Sequence, residues 1–199
     1  MVPADVLAAV ALQKLAFPPP FSEDLHWDHE HLLSHIETFS DGQFVACDGD
    51  RIVGSCSNAI LSEESWLAHG SWADTVGGPF IRRHCFEGTT LYGLDITVHP
   101  EFRRQGIGRA FYGTRFDLVR DKGLDRYGTG CRLPDYRWTC ETQGSLSLEE
   151  YARRVVEGQV QDRTLSPLLR YGLCFLGIVE DYMQDEESGH AAALLEWLP

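Results

Sequence analysis

The chain has 199 residues, 43% of them hydrophobic, and carries 30 acidic against 17 basic residues for a formal net charge of -13. That length suits one domain with a sizeable core, and the composition is that of an ordinary globular protein. The acidity excludes the basic face that nucleic acid requires, and no apolar run reaches membrane-spanning length, so neither nucleic acid nor membrane is expected as a partner.

The predicted elements run as follows. Residues 6–17 have helical spacing, with Leu7, Val10, Ala11 and Leu15 expected inward, and Pro18, Pro19 and Pro20 end the run. Residues 27–38 predict a second helix with Leu32, Leu33 and Ile36 inward. Residues 43–47 and 51–61 predict a hairpin about Asp48, Gly49 and Asp50. Residues 62–88 form a long connection, long enough to lean over a site. Residues 91–98 read as a strand ended by His99 and Pro100. Ile107, Phe111, Thr114 and Leu118 then recur at helical spacing until Lys122 and Gly123 close the helix.

A short strand follows at 126–131, then an irregular stretch at 132–146. Ser147 and Glu150 form a capping box for a helix to about Glu157. Residues 166–171 predict one helical turn, and 173–179 and 191–198 the closing strands around an acidic loop. No repeat or linker interrupts the chain, so residues 1–199 are expected to form a single domain. The start lacks a signal-peptide pattern, so a cytoplasmic location is expected, and a homodimer is compatible with these features. The six cysteines are scattered and read as reduced core residues. His26, His29, His31 and His35 crowd one segment, and His31 and His35 share a helical face, but no third ligand is evident and no metal is expected.

The turn between strand and helix carries the chemistry. It reads Arg103, Arg104, Gln105, Gly106, Ile107, Gly108, Arg109, Ala110. Glycines there let backbone N–H groups approach a ligand, and the helix N-terminus adds positive partial charge. The turn is thus a phosphate cradle with three arginines at hand. A P-loop would need Lys-Ser/Thr after its second glycine, and a dinucleotide fingerprint would need a third glycine where Phe111 stands.

With Val98, His99 and Pro100 before it, this turn resembles motif A of the GNAT superfamily of acyl-CoA-dependent N-acetyltransferases. Segments 39–46, 91–96, 131–136 and 181–197 resemble one branch, the acetyltransferase domain found fused to carbon–nitrogen hydrolase (nitrilase-like) domains. The resemblance implies an α/β (α+β) fold with a mixed, mostly antiparallel sheet and helices on both faces. The strand that usually opens such chains is not visible here.

It also implies acetyl-CoA as cosubstrate and an amine acceptor, for which the acidity favours a cation. By resemblance, Ile96, Thr97 and Val98 would line the pantetheine, and residues Arg103 to Ala110 would hold the pyrophosphate. Asp95 is a candidate base, since burial in an apolar strand would raise its pKa; a structural carboxylate is the competing reading. Tyr92 takes a position where some relatives carry a glutamate, and alternation places it on the side of Ile96 and Val98. The family's usual acid, a tyrosine, is replaced by Leu168, so Tyr171 and Tyr136 are the remaining candidates, both equally readable as packing residues. The leading expectation is an N-acetyltransferase acting by direct attack on a small amine or a protein amino group; the alternative is a non-catalytic acyl-CoA-binding or regulatory module.

Overall fold

The computed structural model describes residues 1–19 and 21–199; Pro20, part of the helix-ending proline run, lies outside them. The elements are α1 (Val6–Ala16), α2 (His29–Phe39), β1 (Phe44–Asp48), β2 (Arg51–Leu61), α3 (Glu63–Leu67), α4 (Trp72–Val76), β3 (Thr90–Val98), α5 (Ile107–Lys122), β4 (Arg126–Arg132), α6 (Tyr136–Gln143), α7 (Leu148–Val156), α8 (Leu165–Arg170), β5 (Cys174–Val179) and β6 (Ala192–Trp197). They build one six-stranded sheet in the order β1-β2-β3-β4-β6-β5. Every pairing is antiparallel except β3 with β4. No strand precedes Phe44 among the described residues, as the sequence leads one to expect.

Helices cover both faces. The larger core packs α5, α7 and α8 on one face through Tyr112, Val119, Tyr151, Val155, Leu165 and Leu168, against Leu91, Tyr127 and Leu195 of the sheet. On the other face Leu61, Tyr92 and Leu94 meet Trp66 and Val76, while Val6, Ala9, Trp27 and Leu32 tie α1 to α2.

Four local readings are corrected. The buried stripe of α1 is Val6, Ala9, Leu12, Gln13 and Ala16, whereas Leu7 and Leu15 are exposed. That helix is apolar nearly all round, so tertiary packing chooses the face. Residues 136–143 are helical, not irregular; Thr139 is buried and Tyr136 packs edge-on against Tyr151. Only Cys56 and Cys131 of the six cysteines are buried, although all six are free thiols. Tyr92 and Ile96 fall in cores on opposite faces. The cause is a bulge: Ser57 pairs with Asp95 and Asn58 with Gly93, which leaves Leu94 unpaired and inverts the alternation.

His35 on α2 is fully buried; its Nε2 bonds the Pro79 carbonyl at 2.7 Å and its ring meets Trp27 edge-on at 4.7 Å. Burial lowers its pKa from 6.5 to about 4. The unfolded chain therefore takes up the proton first as pH falls. The resulting stability is complete above pH 6.5 and is lost on descent to about 4, a span of about 3 kcal/mol. Urea midpoints of His35→Phe should accordingly fall less steeply between pH 7 and pH 4 than those of the wild type. Parallel curves would exclude His35 as a source of that slope.

Candidate active site

β3 and β4 run together for only three residue pairs, Thr90–Arg126, Leu91–Tyr127 and Tyr92–Gly128, and then part. Side chains bridge the mouth of the gap. The Tyr92 hydroxyl meets the Tyr182 hydroxyl at 2.7 Å and accepts the Gly130 N–H at 3.1 Å, and the Thr129 hydroxyl donates to Gly93 O at 3.0 Å. Gly130 is required here, because a Cβ would lie 2.3 Å from the Tyr182 ring. Beyond this wedge the β3 edge from Leu94 to Val98 has no strand partner on its β4 side among the described residues.

The glycine turn lies where β3 ends. Gly106 has φ 88, a left-handed conformation that suits glycine, and caps α5. A Cβ added at Gly106 or Gly108 would meet nothing within 4 Å, so open space stands over both. The first N–H groups of α5 have no acceptor within the helix. Ala110 is the exception, since its N–H bonds Gly106 O at 2.9 Å. Arg103 serves the loop itself: Nε donates to Val98 O at 3.3 Å and Nη2 to Ala16 O at 2.8 Å, which pins the turn to β3 and α1. Gln105 donates to Glu101 O at 3.1 Å. Arg104 and Arg109 are exposed beside the open space. Such a turn can take a pyrophosphate-sized anion.

On the opposite face from α5, a cavity of about 520 Å³ reaches Leu94 and Asp95 on β3 and Gly130 on β4. That is the size of a small-molecule site. The loop between α1 and α2 contributes Phe17, Phe21, His26 and Trp27. The connection at 62–88 does lean over the site, supplying Trp72 from α4 and Pro79. The loop between β5 and β6 supplies Asp181 and Tyr182. Arg132 also lines the cavity, but Asp185 grips its guanidinium at 2.6 and 2.7 Å and Glu187 at 3.1 Å. Its charge is therefore neutralised, leaving Asp24 and Asp181, with Asp95 partly offset by the buried Arg115 cation, to give the wall a negative field.

Of the four candidate catalytic side chains, Asp95 is on the cavity wall. Burial raises its pKa from 3.8 to about 6, against the opposing pull of the Thr97 hydroxyl, Arg115, His26 and the Ile96 N–H. Thr97 donates to its Oδ2 at 2.8 Å and fixes its direction. Tyr92 is buried in the wedge, and burial lifts its pKa to about 12. Tyr136 lies on α6 with its hydroxyl donating to Leu146 O at 2.9 Å, away from the cavity lining. Tyr171 packs on Tyr112 of α5, ring centres 5.4 Å apart, and is also off the lining. Leu168 is buried in the larger core. That Trp27, Trp72 and Tyr182 line a cavity escaped sequence reasoning, since each sits in a loop or short helix with no motif of its own, and His26, weighed there only as a metal ligand, lines it too.

The profile of the acetyltransferase (GNAT) family matches residues 7–137. The chain is 37% identical over 194 residues to the "Uncharacterized N-acetyltransferase YkwB" of Bacillus subtilis (strain 168), covering 97% of this chain and 84% of that protein. It is 33% identical over 194 residues, 97% of its length, to "Probable hydrolase YhcX" of the same strain, of which it spans 36%. That relative is a longer protein, in keeping with relatives fused to a hydrolase. Among solved structures, "GphF GNAT-like decarboxylase in complex with isobutyryl-CoA" has a similar fold, with TM-score 0.80, 21% identity, and coverage of 100% of this chain and 96% of that one. The chain belongs to the GNAT family of acetyltransferases. It is, on that footing, an acyltransferase.

The open space over Gly108 separates binding from folding. Gly108→Glu should keep the thermal midpoint of the wild type, because its Cβ meets nothing, yet lose acetyl-CoA binding in calorimetry through charge and bulk in the cradle. Undiminished binding would place the phosphates elsewhere.

Proposed function

We propose that the protein transfers an acetyl group from acetyl-CoA to a small cationic amine by direct attack in a ternary complex. The observation that carries this reading is Asp95: a carboxylate with pKa raised to about 6, on the cavity wall where β3 leaves β4. Acetyl-CoA supplies the activated thioester. The N–H groups of Gly106, Ile107, Gly108 and Arg109 hold its pyrophosphate, assisted by the Arg104 and Arg109 side chains, while Arg103 holds the loop. The Ile96 carbonyl and the Val98 N–H pair with the pantetheine, the Val98 carbonyl being held by Arg103, and the Ile96 N–H polarises the thioester carbonyl. Asp24 and Asp181 attract the acceptor, and the aromatic side chains of Phe17 and Trp72 line the same cavity. The attacking nitrogen enters as the neutral amine, its ammonium proton lost to solvent; Asp95 takes the further proton that this nitrogen sheds as it bonds the acyl carbon, the carbon–sulfur bond breaks and the thiolate leaves. No tyrosine is needed for that departure, because a thiol of pKa near ~8.5 is a fair leaving group.

The wall built from α4 and Pro79 favours a small amine over a protein amino group. A second reading, decarboxylation of a carboxyacyl-CoA, draws on the name of the GphF structure. The acidic cavity wall would repel such a substrate, and the arginine that lines it is already paired. Thiol release with a panel of amines, beside carbon dioxide release from carboxyacyl-CoA thioesters, tests both readings.

The sign of the Asp95 shift gives a paired expectation. Its folded pKa lies above its unfolded value, so the ionised carboxylate weakens the fold as pH rises from 3.8 to about 6. Asp95→Asn should therefore be at least as stable as the wild type at pH 7. Its turnover should drop by about 10²-fold or more, the worth of a positioned base, and the rise of activity through pH ~6 should vanish. Tyr136→Phe and Tyr171→Phe serve as controls and should each cost less than about tenfold. Retained activity in Asp95→Asn would move the base to another group.

A further inference from the structure

Arg115 on α5 is the largest fully buried side chain, 2% exposed. Its hydrogen-bond acceptors are neutral oxygens, although the Asp95 carboxylate also acts on its charge. Nε donates to Asn58 Oδ1 at 2.7 Å, and Nη2 donates both to Ser57 O at 3.2 Å and to Asp95 O at 2.8 Å. The guanidinium also sits over the rings of Tyr112 and Tyr127, 5.2 Å from each centre. A buried cation held in this way is costly, and stability alone would favour an apolar side chain of similar volume.

The geometry shows what the cation does. One nitrogen reaches Ser57 O of β2 and Asp95 O of β3 together, so both carbonyls point into the seam between those strands. This is the site of the bulge, where Leu94 is left unpaired. The peptide joining Asp95 to Ile96 is planar and trans. Its N–H, that of Ile96, therefore points the other way, into the gap between β3 and β4, where the Asp95 carboxylate also draws on it.

We propose that Arg115 is a positioning residue for acyl transfer: it holds the Asp95–Ile96 peptide in the bulge and, by its charge on the Asp95 carbonyl, strengthens the Ile96 N–H as donor to the thioester oxygen. A hydrogen bond to a carbonyl polarises the whole amide, and a charged donor does so more strongly. The same contact orients the backbone that carries the Asp95 carboxylate. This inference rests on the acyl-CoA reading above.

The test uses the full chain and acetyl-CoA labelled at the thioester carbonyl, with no amine present. Calorimetry first establishes binding; its absence would overturn the acyl-CoA reading and this inference with it. With binding established, isotope-edited infrared spectra should show the bound carbonyl stretch below its frequency in solution. In Arg115→Gln the stretch should return towards the free value. The turnover number should fall about tenfold or more while KM for acetyl-CoA changes by less than about threefold. Arg115→Lys, which keeps the charge, should recover part of both losses. An unshifted carbonyl in the wild type would overturn the proposal whether or not any variant folds. An identical shift in folded Arg115→Gln would overturn it as well, leaving Arg115 a structural residue and the acyl-CoA reading intact.

Discussion

The parting of β3 from β4 is the constraint on which the rest depends. Three pairs hold the strands together, and then a hydroxyl wedge replaces the ladder. Tyr92 and Tyr182 are long enough to bridge the opening strands, and Gly130 is small enough to let them in. On the other side of β3, the bulge at Leu94 keeps the seam with β2 closed while redirecting the strand. The result is a strand edge whose main-chain groups, apart from the Val98 carbonyl held by Arg103, lack a strand partner and must be paired by water or a ligand. The open edge thus explains why an extended, amide-bearing cosubstrate suits this fold.

The same parting sorts charge. The chain as a whole is acidic, with a net charge of -13. An anionic cosubstrate needs a local exception, and in the proposed function the N-terminus of α5 with Arg104 and Arg109 provides it beyond the end of β3. The acidic cavity lies on the opposite face, walled by Asp24, Asp95 and Asp181. On the proposed reading, an anionic cosubstrate and a cationic acceptor enter from different sides and meet at the gap. Arg132 does not blur this division, because Asp185 and Glu187 absorb its charge and in doing so anchor the loop between β5 and β6.

The legible part of this protein was the part written locally. A strand, a glycine turn and a helix follow one another within residues 90–122, and each is set by short-range chemistry: β-branched residues, positive φ at Gly106, helical periodicity after it. The strand, glycine turn and helix could be read for that reason, as could the serine cap at Ser147. The side assigned to Tyr92 was wrong because a bulge leaves no local mark, and one unpaired residue flips every later side chain. Arg115 reads in the sequence as one more charged residue on an amphipathic helix; only its burial against Asn58 and Asp95 sets it apart. The cavity was illegible because its walls come from three loops or short helices far apart in the chain, and Tyr136 and Tyr171 proved to be held by Leu146 and Tyr112 instead.

The central claim is that one ligand spans the glycine turn and the free edge of β3. Backbone amide hydrogen exchange with and without acetyl-CoA tests it most directly. The account requires slowed exchange in two separate stretches at once, Ile96 to Val98 and Gly106 to Arg109, with β1 and β5 unchanged. Protection confined to other elements, or protection of the turn without the strand edge, would contradict it.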